Sequence, residues 1–321
     1  MKFHETHYED YIKKVESYNI HPELAPFYEN IPQNVNDFRN LILYGPSGVG
    51  KYSQALHFIK NYSPSQLKYE KKMILQNDKG DFIYKISDIH YEIDMALLGC
   101  NSKLIWHDIF GQIVDIVTMK KEKIGIIICK NFHEIHSELL EIFYSYMQQY
   151  NHTNLSIQLR FILLTNHLSF LPLNIINHCR VVNVKRPSND IYKALGLKMN
   201  VDKQNILNLK ELHILNRAKK LDDIPEDIFD IVCGDFIEQI NQPNMKYSNF
   251  REALYNILIY NLDTHEMLWN VLYQYIDQLS EESIEKILGK MHNALKQYNN
   301  NYRPIYHLEN IFLTIINEIH A

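Results

Sequence analysis

Glycine and proline are scarce, ten of each in 321 residues, while tyrosine, asparagine, isoleucine and lysine are abundant. That bias fits an AT-rich genome and points to no function. Cysteine is scarcer still. Cys100, Cys129, Cys179 and Cys233 lie far apart with no C-x-x-C pair, which argues against a disulfide framework or a zinc site and suits free thiols in a reducing compartment. Long apolar runs are lacking too. IGIIIC and FILL are strand-sized, well short of the roughly 20 residues of a membrane helix, and MKFHETHYEDYIKK is too charged to be expected to act as a secretion signal. There is no excess of positive charge. The formal net charge of −5 excludes a protein that coats nucleic acid through overall charge, so any DNA contact has to be local or shared with partners. Internal repeats and long low-complexity tracts are also missing.

What is present is enough chain for two or three domains with a sizeable core, 46% hydrophobic and 22% charged. Short apolar runs alternate with helical patterns in the first 200 residues. LILY (41 to 44), IGIIIC (124 to 129) and RFILLTN (160 to 166) read as buried strands, and QALHFIKNY and HSELLEIFYSYMQQY as helices between them. Such an order predicts a parallel sheet covered on both faces. After VVNVKRPS (181 to 188) only helical patterns follow: DIYKALGLKM, KQNILNLKELHILNRAKK, SNFREALYNILIYNL, HEMLWNVLYQYIDQL, EESIEKILGKMHNALKQY and PIYHLENIFLTIINEI. Boundaries are expected at Lys185 to Ser188 and in LDDIPEDI, near 221 to 228.

YGPSGVGKYS (44 to 53) carries the chemistry. Gly45, Gly50 and Lys51 obey the phosphate-loop pattern G-x-x-x-x-G-K-[ST], between a strand and a helix as that loop requires. Backbone N–H groups of Ser47 to Lys51 at the positive end of a helix suit phosphate oxygens, and Lys51 suits the outer phosphates. The hydroxyl that should hold magnesium is missing from position 52, which is Tyr52, and arrives one residue late as Ser53. The second strand should end in acidic residues that hold the ion and orient water. It ends Cys129-Lys130-Asn131-Phe132-His133, and a lysine there repels a cation. His133-Glu134-Ile135-His136 spaces its histidines three apart, where a zincin needs four, and reads as a polar helix entrance.

Four stretches, DFRNLILYGPSGVGKYS, IIICKNFHEIHSELLEIFYSYMQQY, RFILLTNHLSFLPLNIINHC and RPIYHLENIF, resemble in that order the small subunits of replication factor C, the sliding-clamp loader. The resemblance runs from about residue 37 to the end. It implies an α/β AAA+ P-loop domain over 1–185, a reduced helical lid over 186–228 and an all-α collar over 229–321, through which such subunits form a ring. Gly50-Lys51-Tyr52-Ser53 and Ile305-Tyr306-His307-Leu308-Glu309 are similar to the one small subunit whose loop hydroxyl is displaced and whose ATP site is degenerate.

By that resemblance the nucleotide-binding positions are Gly45, Pro46, Ser47, Gly48, Val49, Gly50, Lys51, Tyr52 and Ser53, with Asn166 as the γ-phosphate sensor and Lys210 in place of the lid's arginine. The family's arginine finger reads Asn177-His178-Cys179, with Arg180 one residue late, and the adenine-lining W-x-x-K-Y-R-P segment is not recognisable in residues 1 to 36. The chain is therefore expected to be a non-catalytic clamp-loader subunit, with no catalytic residue and no metal ligand. ATP or ADP would be held weakly, without magnesium. Other AAA+ subunits, a sliding clamp and primer-template DNA would be its partners, with no membrane, in a nucleus or at a viral replication site. Two alternatives stay open: an active ATPase using Ser53 with Glu134 or Asp108, and an AAA+-derived scaffold that serves no clamp.

Overall fold

Runs of isoleucine, leucine and valine with no polar break belong in strands whose two faces are both covered. The computed structural model places them so, and describes residues 7–77, 80–151, 157–194, 228–242, 246–260, 262–298 and 303–320. Seven strands form one sheet: β1 Leu41–Tyr44, β2 Lys71–Asn77, β3 Gly80–Ile86, β4 His90–Asp94, β5 Ile124–Lys130, β6 Gln158–Thr165 and β7 Arg180–Asn183, in the order β2-β3-β4-β5-β6-β1-β7. Strands β4, β5, β6, β1 and β7 are parallel, while β2 and β3 join antiparallel at one edge. That hairpin escaped the sequence reading, although KKMILQN and GDFIYKI flank a DK pair suited to a turn.

The two-residue period of a strand divides its side chains between two cores. Leu41, Leu43, Ile126, Ile128, Ile162 and Leu164 face one, with Tyr8 and Ile12 of helix α1 (Tyr8–Ser17). Helix α2 is Ala25–Glu29, and α3 (Lys51–Ile59) adds Ala55, Leu56 and Phe58 to the same core. Ile42, Ile127, Cys129, Phe161 and Leu163 face the other core, beneath α4 (Ser102–Met119) and α5 (Ser137–Gln149), which contribute Trp106, Ile113, Leu139 and Phe143. Short helices α6 (Leu173–Asn177) and α7 (Asn189–Ala194) lie before and after β7.

The chain divides into two compact units, Met1–Arg217 and Ala218–Ala321. The described part of the second is helical: α8 Ile228–Asn241, α9 Tyr247–Ile259, α10 Thr264–Tyr275, α11 Glu281–Tyr298 and α12 Pro304–Ile319. Helices α11 and α12 match the sequence patterns end to end, and α8 is one that pattern reading did not single out. Asp263 caps α10 by accepting from the N–H groups of His265 and Glu266. The expected lid over 186–228 falls, apart from 186–194 and Ile228, outside the described residues.

Phe236, Phe250 and Phe312 are fully buried at the centre of the helical unit, Phe236 and Phe312 edge to face with centroids 4.6 Å apart. Replacing Phe312 with alanine removes a ring from a packed core, and is expected to cost about 3 to 5 kcal/mol. A urea titration of Phe312→Ala followed by circular dichroism measures this; a loss below about 1 kcal/mol would mean a loosely packed centre.

Candidate nucleotide site

The loop sits at the carboxyl end of β1, where Gly45 passes so close to Val184 that a Cβ would lie 2.1 Å from its carbonyl oxygen. Only glycine fits there. Gly50 has φ of 94° in the left-handed region and caps α3, a conformation glycine adopts without penalty. Ser47 is exposed at the loop and Pro46 and Gly48 are half-buried beside it, while Val49 is fully buried. His21, also fully buried, comes from the amino-terminal segment and places Nε2 2.7 Å from the Val49 carbonyl oxygen. The loop is thus held from both sides.

Lys51 opens α3. Its Nζ donates to the carbonyl oxygens of Gly45 and Pro46, both at 2.6 Å, and to Asn166 Oδ1 at 2.9 Å. Asn166 follows directly on β6, and its Nδ2 lies 3.1 Å from His133 Nε2. Lys51, Asn166 and His133, which follows the end of β5, therefore meet. Adjacent parallel strands deliver all three residues at their carboxyl ends, where open α/β sheets place ligands.

A second cluster adjoins the first and contains a residue that motif reading missed. Glu92 on β4 is only 6% exposed. Its Oε2 accepts from the Tyr52 hydroxyl at 2.6 Å and its Oε1 from Lys130 Nζ at 3.1 Å, and that ammonium lies 4.7 Å from the Tyr52 ring centroid. Tyr11 packs edge-on against the same ring at 5.0 Å. Burial, then the Glu92 charge, pushes the Tyr52 hydroxyl far above its ordinary pKa, so it is a fixed donor. The signal for Glu92 was its position: the carboxylate in the middle of the buried strand HYEID, unlike Asp94 at its end, has to find a cation.

The phosphate-loop pattern implies magnesium, and the donors present do not fit it. Tyr52 and Lys130 stand at the two expected ligand positions, and the nearby carboxylate is shared between them. Ser53 is half-buried on α3, about 100° further round the helix than Tyr52. Asp94 accepts from Asn131 Nδ2 at 2.9 Å and from the Ala96 N–H at 3.2 Å. Of the acids considered for an active site, Glu134 lies beside His133 with its side chain 57% exposed, and Asp108 is exposed on α4. His136 caps α5, its ring accepting from the Glu138 N–H at 3.4 Å. Among the described residues no group of three or more His, Cys, Asp and Glu side chains is arranged to hold a metal ion.

At the finger position, His178 contacts the Tyr144 hydroxyl at 2.8 Å, and the guanidinium of Arg180 lies 4.6 Å from the Phe27 ring centroid. Arg180 thus packs on a ring of its own chain. A cavity of about 510 Å³, lined by Phe27, Phe38 and Phe58 and bordered by Arg39 and Arg180, opens there, at the amino ends of β1 and β7 and away from the loop. Lys210, expected to replace the lid arginine, lies outside the described residues. No described helix is long and apolar enough to cross a membrane.

No protein-family model matches the chain. Replication factor C subunit 5 of Neurospora crassa is 23% identical over 185 residues, covering 55% of this chain and 51% of that protein. The chain therefore spans about half the length of the curated relative it matches. Two solved structures of Thermotoga maritima RuvB, one of a point variant and one of the Holliday junction branch migration motor, are similar at TM-scores of 0.34 and 0.33 with 12% and 13% identity. The first likeness covers 89% of this chain and 85% of that one, the second 83% and 76%. Scores this low carry no argument; the fold shown is a mostly parallel α/β sheet with a phosphate-loop pattern after β1 and a separate helical unit.

Proposed function

We propose that the chain is a non-hydrolysing small subunit of a replication factor C-like clamp loader, helping to place a sliding clamp on primer-template DNA. The observation that carries this is the Tyr52-Glu92-Lys130 cluster, which fills a hydrolytic ion site with side chains while the loop itself stays intact. A decayed loop would lose its glycines and its packing; this one keeps Gly45 against Val184 and Lys51 against Asn166. Loop amides, Lys51 and Asn166 retain the chemistry to hold the phosphates of ATP or ADP. In this reading residues 1–185 form the nucleotide-binding domain, 186–228 a reduced lid and 229–321 the collar. Other AAA+ subunits then supply hydrolysis, and the site of action is wherever that machinery replicates DNA. The partial likeness to a replication factor C subunit supports the choice of machinery.

Affinity purification of the full chain from its native cells, with identification of what accompanies it, tests the assignment. The expected companions are other AAA+ subunits and a sliding clamp. Recovery of the chain alone would overturn it, and AAA+ companions that associate with no clamp would turn it into a scaffold.

A further inference from the structure

Phosphate loops ordinarily meet the charge of a nucleotide partly with a divalent ion held by the loop hydroxyl and a strand carboxylate. Here those two positions carry a phenol and an ammonium. We propose that this loop takes ATP or ADP free of divalent metal, with the Lys130 ammonium supplying the positive charge that magnesium supplies elsewhere. The proposal rests on the nucleotide reading above and names the ionic form of the ligand.

Three features support it. Lys130 is held on two sides, 3.1 Å from Glu92 Oε1 and 4.7 Å from the centre of the Tyr52 ring. Tyr52 lies in the first turn of α3, directly after Lys51, so this cation stands next to the amino-terminal end of the helix at the loop. Glu92 keeps the Tyr52 hydroxyl as a second donor at 2.6 Å, and an ammonium has three N–H groups, so Lys130 can keep its carboxylate and still offer a donor to a phosphate oxygen.

The same arrangement resists a divalent ion. Magnesium demands near-octahedral oxygen ligands at about 2.0 to 2.1 Å. The buried carboxylate of Glu92 is already shared between an ammonium and a phenol, and Asp94 is occupied by Asn131 and the Ala96 N–H. A dication entering next to Lys130 is repelled at short range. Nucleotide complexed with magnesium in solution also carries two fewer negative charges to attract Lys51 and Lys130. Magnesium therefore competes with the protein for nucleotide instead of joining it.

Titration of the full-length protein with fluorescently labelled ATP and ADP, once in excess magnesium and once in EDTA, tests this without any variant. Binding is expected to be at least about tenfold tighter in EDTA. Lys130→Ala should lose most of that advantage and Lys130→Arg keep it. Tyr52→Ser combined with Lys130→Asp, which recreates an oxygen-ligand pair, should invert it so that magnesium tightens binding. Thermal melts confirm that each variant is folded. Equal binding in the two buffers, or tighter wild-type binding with magnesium, overturns the proposal and leaves the clamp-loader assignment standing. Absence of binding in both buffers overturns it together with the nucleotide part of that assignment, while recovery of AAA+ partners is read separately.

Discussion

Purified and supplied with ATP and magnesium, the chain is expected to show no turnover above background, with or without primer-template DNA. Hydrolysis at a phosphate loop needs an ion between the β- and γ-phosphates, an acid to orient water and an arginine from a neighbour. Tyr52 and Lys130 fill the ion's ligand positions around Glu92, Asn131 is turned to Asp94, and Arg180 lies over Phe27. Losing one catalytic group commonly costs two or more orders of magnitude, so losing several leaves about nothing to measure. The sensitive comparison is with Lys51→Ala in a coupled phosphate-release assay. Wild type and variant should trace the same baseline; steady turnover that disappears in the variant would show an active site assembled from other groups, Ser53 and Glu134 first among them.

Deleting residues 229–321 is expected to abolish association with other AAA+ subunits while residues 1–185 remain folded. The cores support the second half: the two cores of the sheet unit contain no described residue beyond Val184, and the core of the helical unit none before Phe229. The first half rests on what the helices leave outside. Leu254, Ile257, Leu308, Ile311, Phe312 and Ile315 are all consumed by the chain's own core, with Leu258 half-buried beside them. The apolar surface left over is different, and includes Tyr255 and Ile259 one turn apart on α9, and Trp269 (44% exposed) and Tyr273 (77%) one turn apart on α10. Tyrosine and tryptophan are the residues most often found at the energetic centres of interfaces. Trp269→Ala with Tyr273→Ser should therefore weaken co-purification about tenfold or more while the melting temperature barely moves. If the truncated chain still joins the complex, assembly runs through the sheet unit.

Much of the fold was legible because the signals are local. LILY, IGIIIC and RFILLTN announced buried parallel strands through unbroken apolar content, and α11 and α12 begin and end where their periodicity does. The β2-β3 hairpin was overlooked because its apolar runs, MIL and FIY, are only three residues long and are flanked by charged and polar residues at a sheet edge, a pattern weaker than that of the central strands. Helix α8 was obscured by Gly234 in its middle and by the boundary expected just before it.

The sequence by itself determined the loop, its displaced hydroxyl and the lysine at the end of the second strand, since each is a matter of which residue stands at a fixed distance from another along the chain. It put Tyr52 and Lys130 where the phosphate-loop pattern expects a hydroxyl and an acid. Which partner they share only the tertiary structure decided. Glu92 lies 40 residues from Tyr52 and 38 from Lys130, and no spacing rule joins residues on a helix and two neighbouring strands. They meet because β4 pairs with β5 in parallel register, Glu92 opposite Ile128, and because a buried carboxylate cannot stay charged without donors. The same holds for the helical unit, where periodicity named the apolar residues but packing alone settled which of them face inward.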